Sequence, residues 1–257
     1  MITIISPAKK ISKEVCAIEG TATSCVFLDN AKDLASLLKK MDPGELASLM
    51  GISENLSILN WERYKGWDLP FNGKNSRQAM YTFQGDTYKG LDPETFSKND
   101  IDFSQKNIRI LSGLYGLLRP MDLIMAYRLE MGTPLKNKRG PNLYLYWRNL
   151  ITKSLNITFQ DSKNKTLINC ASVEYFKSID TEDLDAKIIT PVFKEFRNGI
   201  PKIISFFAKK ARGAMARFIV KNRIDKPDGI LDFNYDGYSF NKKYSSSDQP
   251  VFIRQGG

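Results

Sequence analysis

The chain has 257 residues, 42% of them hydrophobic, with 38 Lys and Arg against 28 Asp and Glu (net charge +10) and no histidine. This length and apolar content suit a sizeable folded core rather than a disordered chain. The missing imidazole excludes Ser-His-Asp and Cys-His catalysis, His-ligated metals and a side-chain switch near neutral pH.

Cys16, Cys25 and Cys170 are odd in number and widely spaced, with no CxxC pair. They give no thioredoxin-like motif and no zinc pair, and they fit a reducing, cytoplasmic setting. No run reaches the ~18 apolar residues of a membrane span. Residues 1–10 place their apolar stretch before their lysines, the reverse of a secretory leader. The Asn-x-Ser/Thr matches at Asn55, Asn156 and Asn164 therefore carry no meaning. With no internal repeat and no dividing linker, one domain over 1–257 is expected.

Along the chain, residues 1–5 form a short β-branched run that reads as a strand. Ser6-Pro7 then carries the residues of a helix start, placing Lys9 in a first helical turn or on a tight loop after the strand. Leu34, Leu37, Leu38 and Met41 recur at helical spacing. Asp42-Pro-Gly-Glu45 follows as a capping-box start for a second short helix, and Ser53 can cap a third running to about Lys65. Further strands are predicted at 81–83, 108–111, 166–169, 187–190, 202–206 and 251–253, and helices at 143–155 and 207–222. The alternation predicts an α/β fold, a mixed sheet with surrounding helices, whose strand order the sequence does not give.

Most chemical motifs are absent. There is no dinucleotide or P-loop fingerprint. Ser6-Pro-Ala-Lys9 matches S-x-x-K, but its companion motifs are missing. Cys170 follows a predicted strand; it is either a peroxide-sensing thiol of lowered pKa or, as is commoner at a strand end, a buried inert one.

The cations are more informative. Residues 201–226 hold eight Lys and Arg (Lys202, Lys209, Lys210, Arg212, Arg217, Lys221, Arg223, Lys226) and one acid, Asp225, a net +7 out of +10. On a helix, Phe207, Ala211, Ala214, Met215 and Phe218 share one face, and Lys209, Lys210, Arg212 and Arg217 lie off it. Gly213 would let another backbone, or a phosphate, come close. This face is a solvated basic surface or an anion-binding one. Arg119 and Arg128, with Asp122 and Glu130 beside them, either pair among themselves or clamp an anion. Aromatics interleave with charge at 81–88, 127–128, 144–148 and 175–177, an arrangement used by cores and by base-stacking surfaces alike.

Several longer stretches occur together: Ile4-Ile-Ser-Pro-Ala-Lys9, Met50-Gly-Ile-Ser53, Phe83-Gln-Gly-Asp86-Thr-Tyr88-Lys-Gly-Leu91, Leu111-Ser-Gly-Leu-Tyr115-Gly-Leu-Leu-Arg119-Pro120, Tyr127-Arg-Leu-Glu-Met131, Asn169-Cys-Ala-Ser-Val-Glu-Tyr-Phe-Lys177 and Ile204-Ser-Phe-Phe-Ala-Lys-Lys-Ala-Arg-Gly213. In this order they resemble the peroxide stress protein YaaA family of bacteria. The chain departs from the family pattern at Cys170, where that pattern reads Leu, and at Lys10, where it often reads Thr. The resemblance implies a cytosolic protein of the hydrogen peroxide response that limits free iron and Fenton damage. It also implies a single-domain α/β fold unlike the common superfolds, and DNA binding through a positively charged cleft near a helix-hairpin-helix-like element. Carried over, that element falls at 37–52, with Lys39 and Lys40 as phosphate contacts, although Asp42-Pro-Gly-Glu45 lacks the usual glycine-rich hairpin.

The leading expectation is thus a monomer that grips DNA phosphates through Lys9, Lys10, Lys39, Lys40, Lys209, Lys210, Arg212 and Arg217, without reading sequence. A second is an enzyme acting on a small anionic or nucleotide-like ligand in the same cleft. Its lining would come from Asp86, Tyr88, Tyr115, Arg119, Arg128, Glu130, Asn169, Ser172, Glu174, Tyr175 and Lys177, together with Lys9, Lys209 and Arg212. A pocket around Lys9, Asp86, Arg119 and Glu174 would favour the enzyme, and an open groove past Lys209 and Lys39/Lys40 would favour DNA. A third, direct iron binding by Asp86, Glu130 and Glu174, lacks histidine and clustered thiols. No cofactor, no resident metal and no membrane partner are expected.

Overall fold

The computed structural model describes residues 1–12, 14, 22–160, 162, 164–197 and 199–256. Cys16 lies outside them.

The chain opens with β1 (Ile2–Ile5), buried at every residue, and reaches the two-residue strand β2 (Lys10–Ile11) through a loop. Three helices follow: α1 (Leu28–Lys39), α2 (Pro43–Met50) and α3 (Glu54–Gly66). The expected capping box at the start of α2 is present, with the Glu45 amide donating to Asp42 (2.8 Å) and the Asp42 amide to Glu45 (2.9 Å). Gly44 lies inside α2. The left-handed glycine of this region is Gly51, which ends α2 (φ 60°) and turns the chain into α3. Three residues, 40–42, join α1 to α2, so the left-handed glycine lies one helix later than Asp42-Pro-Gly-Glu45.

A run of short elements comes next: β3 (Arg77–Gln78), α4 (Ala79–Thr82), β4 (Phe83–Gln84) and α5 (Asp86–Leu91). Residues 81–83, expected as a strand, therefore straddle α4 and β4. Tertiary contacts override local β propensity here: the Ala79 and Met80 amides donate to the Asp122 and Pro120 carbonyls (2.9 Å each). Then come α6 (Lys98–Asn107), β5 (Ile108–Ser112), β6 (Gly116–Leu118), β7 (Leu123–Ile124), α7 (Leu143–Gln160), β8 (Thr166–Cys170), α8 (Val173–Phe176) and β9 (Lys187–Ile189). The last part holds β10 (Val192–Arg197), β11 (Ile200–Lys202), α9 (Ser205–Lys221), β12 (Ser239–Phe240) and β13 (Val251–Gln255). The expected strand at 202–206 is thus the end of β11 and the first turn of α9.

The main sheet has the order β6-β5-β1-β8-β9, with β1 parallel to both β5 and β8, and β8 parallel to β9. A second sheet runs β11-β10-β13-β12. Helix α9 packs against β1 and β8 of the first sheet, β10 of the second, and α5 and α6. Buried apolar residues of both sheets join in one core, from Ile4 and Ile168 to Phe193 and Phe252. The fold is mixed α/β, as expected. No helix among the described residues is long and apolar enough to cross a membrane.

Candidate functional site

Ile5 and Cys170, the last residues of β1 and β8, are directly paired, so the two following loops leave the sheet at one level. Ser6-Pro7 starts no helix. The Ser6 hydroxyl instead accepts the Ser172 amide (2.8 Å), tying the loops together, while Ser172 caps α8 by accepting the Tyr175 amide (3.4 Å). Two glycines bring the other walls in. A Cβ on Gly213 of α9 would lie 1.7 Å from the Thr87 carbonyl oxygen of α5, and one on Gly90 of α5 would lie 2.0 Å from the Lys210 carbonyl oxygen. Helices α5 and α9 therefore meet backbone to backbone, and Asp86 at the start of α5 faces the cleft beside Lys209 and Arg212.

These four segments enclose a cleft of ≈ 400 Å³. Lys9, Lys10, Lys209 and Arg212 line it together with Asp86, Ser172, Glu174 and Tyr175. Burial lowers the pKa of the Arg212 guanidinium, opposed by the neighbouring Cys170 thiol. Cys170 is buried, which pushes its thiol up to about 12 against the pull of Arg212, so of the two alternatives the structure has the buried, protonated thiol. Glu174 accepts the Gly132 amide (3.0 Å) through one carboxylate oxygen. Asp86 has Lys89 at 3.9 Å. Lys9 reaches Glu130 (2.6 Å), which also holds Arg128 (3.0 Å).

A second hollow of ≈ 590 Å³ shares Lys9, Lys10 and Gln84 with the first and runs on to Leu59 and Arg63 of α3 and to Arg128. The two hollows thus adjoin at the loop after β1, with α3 lining one and α9 the other. Arg63 is held by Asn60 (3.2 Å), and burial lowers its pKa. Arg63 was not singled out from sequence, and Ser6 was named only as a helix start and in the S-x-x-K match. The signal for Ser6 was present in the S-x-x-K stretch; Arg63 gave none beyond its place in a predicted helix.

Other expected site residues lie elsewhere. Arg119 binds Asp122 (3.0 Å) and the Ser24 carbonyl (2.9 Å) and does not line the cleft. The two Arg–acid pairs thus form locally, one of the two arrangements the sequence allowed. Tyr115 is fully buried and accepts from Trp67 (3.0 Å), and Tyr88 is a core residue that donates to the Ser6 carbonyl (3.3 Å). Burial raises the pKa of Tyr88, Tyr115 and Tyr175 well above the ordinary phenol range, so none loses its proton near neutrality. Asn169 is buried and donates to Thr190 (3.3 Å). Lys177 is exposed at the end of α8, outside the cleft lining.

Lys39 donates to the Trp67 carbonyl (3.3 Å) at the end of α1; neither it nor Lys40 lines either hollow. Lys210 sits over the Tyr235 ring (5.6 Å). Arg217 grips the Asp92 carbonyl (2.9 Å) and carboxylate (3.4 Å). No group of three or more Asp, Glu or Cys poised for a metal occurs among the described residues; Asp86 and Glu174 share the cleft, whereas Glu130 is held by two cations.

A family model described as peroxide stress protein YaaA matches residues 1–244. A UPF0246 protein of Teredinibacter turnerae is 48% identical over 255 residues, covering 99% of this chain and 100% of its own length. A UPF0246 protein of Burkholderia mallei (strain SAVP1) is 45% identical over 259 residues, covering both chains fully.

Proposed function

Because the chain belongs to the peroxide stress protein YaaA family, we propose that it serves the cytoplasmic peroxide response by binding DNA along the groove from α3 to α9, as a monomer, and so helps limit iron-dependent Fenton damage. The observation that carries this reading is the set of groove cations left without an acidic partner. Lys10, Arg63, Lys209 and Arg212 come from three separate segments, and none makes an ion pair among the described residues. Cations gathered on a concave surface without acidic partners attract a phosphate backbone. No recognition helix of Asn, Gln and Arg stands out in the sequence, so the reading is a grip by shape and charge rather than by sequence.

Four phosphate contacts give a log affinity–log salt slope of about −3.5, roughly a hundredfold loss between 50 and 200 mM salt. Replacing Lys209 and Arg212 together by Ala should flatten that slope by about two contacts. Fluorescence anisotropy with a labelled duplex, alongside melting curves to confirm folding, measures both. A salt-independent affinity, or a folded double variant that binds like the wild type, removes the reading.

A second reading, an enzyme or binder of a small anionic ligand, is favoured by the carboxylates Asp86 and Glu174 on the wall of the same cleft. A phosphate grip alone has no use for them. In the absence of histidine, they and the lysines are the groups able to move a proton there.

A further inference from the structure

We propose that the cleft between the ends of β1 and β8 holds one nucleotide, its phosphate on Lys209 and Arg212 and the amino edge of its base on Asp86 and Glu174. The nucleotide comes from a DNA strand lying in the groove or from a free mononucleotide. The strand source rests on the DNA-binding reading above, whereas the chemistry of the cleft does not.

Topology marks the place. Within this sheet, the next strand after β1 is β5, on one side of it, and the next after β8 is β9, on the other side. Adjacent parallel strands whose continuations diverge leave a crevice at their carboxyl ends, which is where open α/β sheets bind ligands. At ≈ 400 Å³ the cleft is of small-ligand size, about 300–1,000 Å³.

The charges define the ligand. Lys209 and Arg212 share one cavity with Asp86 and Glu174, yet among the described residues no ion pair joins either cation to either acid. Glu174 and Arg212 are half-buried with no ion pair among the described residues, where a charge without a partner is costly, and Asp86, also half-buried, has only the loose contact to Lys89 (3.9 Å). A bare phosphate would satisfy the cations and be repelled by the acids. A molecule with an anion at one end and N–H donors at the other satisfies both, and a nucleotide is such a molecule. Ala8 and Tyr175 supply apolar wall. The shared lining at Lys9, Lys10 and Gln84 lets a strand in the groove deliver a single residue without leaving the surface. Carboxylates accept from exocyclic amino groups, which adenine, guanine and cytosine carry and thymine lacks.

The test uses the full chain and two probes: a duplex with 2-aminopurine at an unpaired position, and the four free deoxynucleoside monophosphates. If the strand is the source, 2-aminopurine fluorescence rises severalfold on binding as the base leaves the stack. If the free molecule is the source, the monophosphates bind saturably by calorimetry, with thymidine monophosphate weakest. In either case Glu174→Gln, which keeps an acceptor for the Gly132 amide, should weaken the response roughly tenfold. Asp86→Asn is the second variant should the first fail to fold. Duplex binding with silent 2-aminopurine and no monophosphate bound at millimolar concentration overturns the nucleotide site and leaves the groove reading standing. Monophosphate binding without any duplex affinity does the reverse.

Discussion

Asp100 shows how a single residue can decide where a basic segment's charge goes. Its side chain is 6% exposed and binds Lys221 (2.6 Å) and Arg223 (2.8 Å) while capping α6 with Ser97. Burial alone would raise its pKa, but the hydrogen bonds from Lys221, the Ser97 amide and Arg223 outweigh it and hold the carboxyl well below its ordinary 3.8. A lowered folded-state pKa gives stability that is present above the unfolded value and lost as pH falls through that value toward the folded one. Melting temperature should therefore drop from about pH 5 downward. Asp100→Asn should cost about 1–3 kcal/mol at neutral pH and make the acid limb shallower. Thermal melts from neutral pH into the acid range check this; an unchanged limb would contradict it. The same residues qualify the sequence reading, because a count of eight cations does not say which are free. Arg217, Lys221 and Arg223 are engaged by Asp92 and Asp100, whereas Lys209 and Arg212 are not.

Among the elements, the crossing of α5 and α9 positions the cleft. Gly213 was expected to admit a backbone or a phosphate; it admits the Thr87 carbonyl of α5. Gly213→Ala must push the helices apart, costing about 1–3 kcal/mol through overpacking and shifting Asp86 relative to Arg212. Gly66→Ala, with nothing within 4 Å of the added carbon, is the matched control and should leave the melt near wild type. Equal melting temperatures for the two variants would show that this contact does not hold the helices. Elements with strong local signals, such as the Asp42–Glu45 cap and the buried strands β1, β5 and β8, were legible in the sequence. The short pieces α4, β4 and α5 were not, because each spans a turn or two at most and takes its conformation from neighbours rather than from its own periodicity.

At the level of the whole molecule, α9 is the common wall of both sheets, and one apolar core joins them. The chain is accordingly expected to unfold in a single cooperative transition. Calorimetry in which the van't Hoff and calorimetric enthalpies agree would support one domain, and two resolved transitions would divide it. The two adjoining hollows depend on the same connection, since one is lined by α3 and the other by α9, far apart in the chain.

The sequence by itself determined the family, the mixed α/β class, the absence of histidine chemistry and the concentration of cations at 201–226, since all of these are carried by residue identity and local order. Only the tertiary structure decided which charges meet. Ser6, Asp86, Glu174 and Arg212 are separated by tens of residues, and pairing across parallel strands is a long-range contact that leaves no periodic trace in any one segment. It also removed Arg119 and Arg217 from the cleft, because whether an arginine is free depends on the partner that folding places beside it.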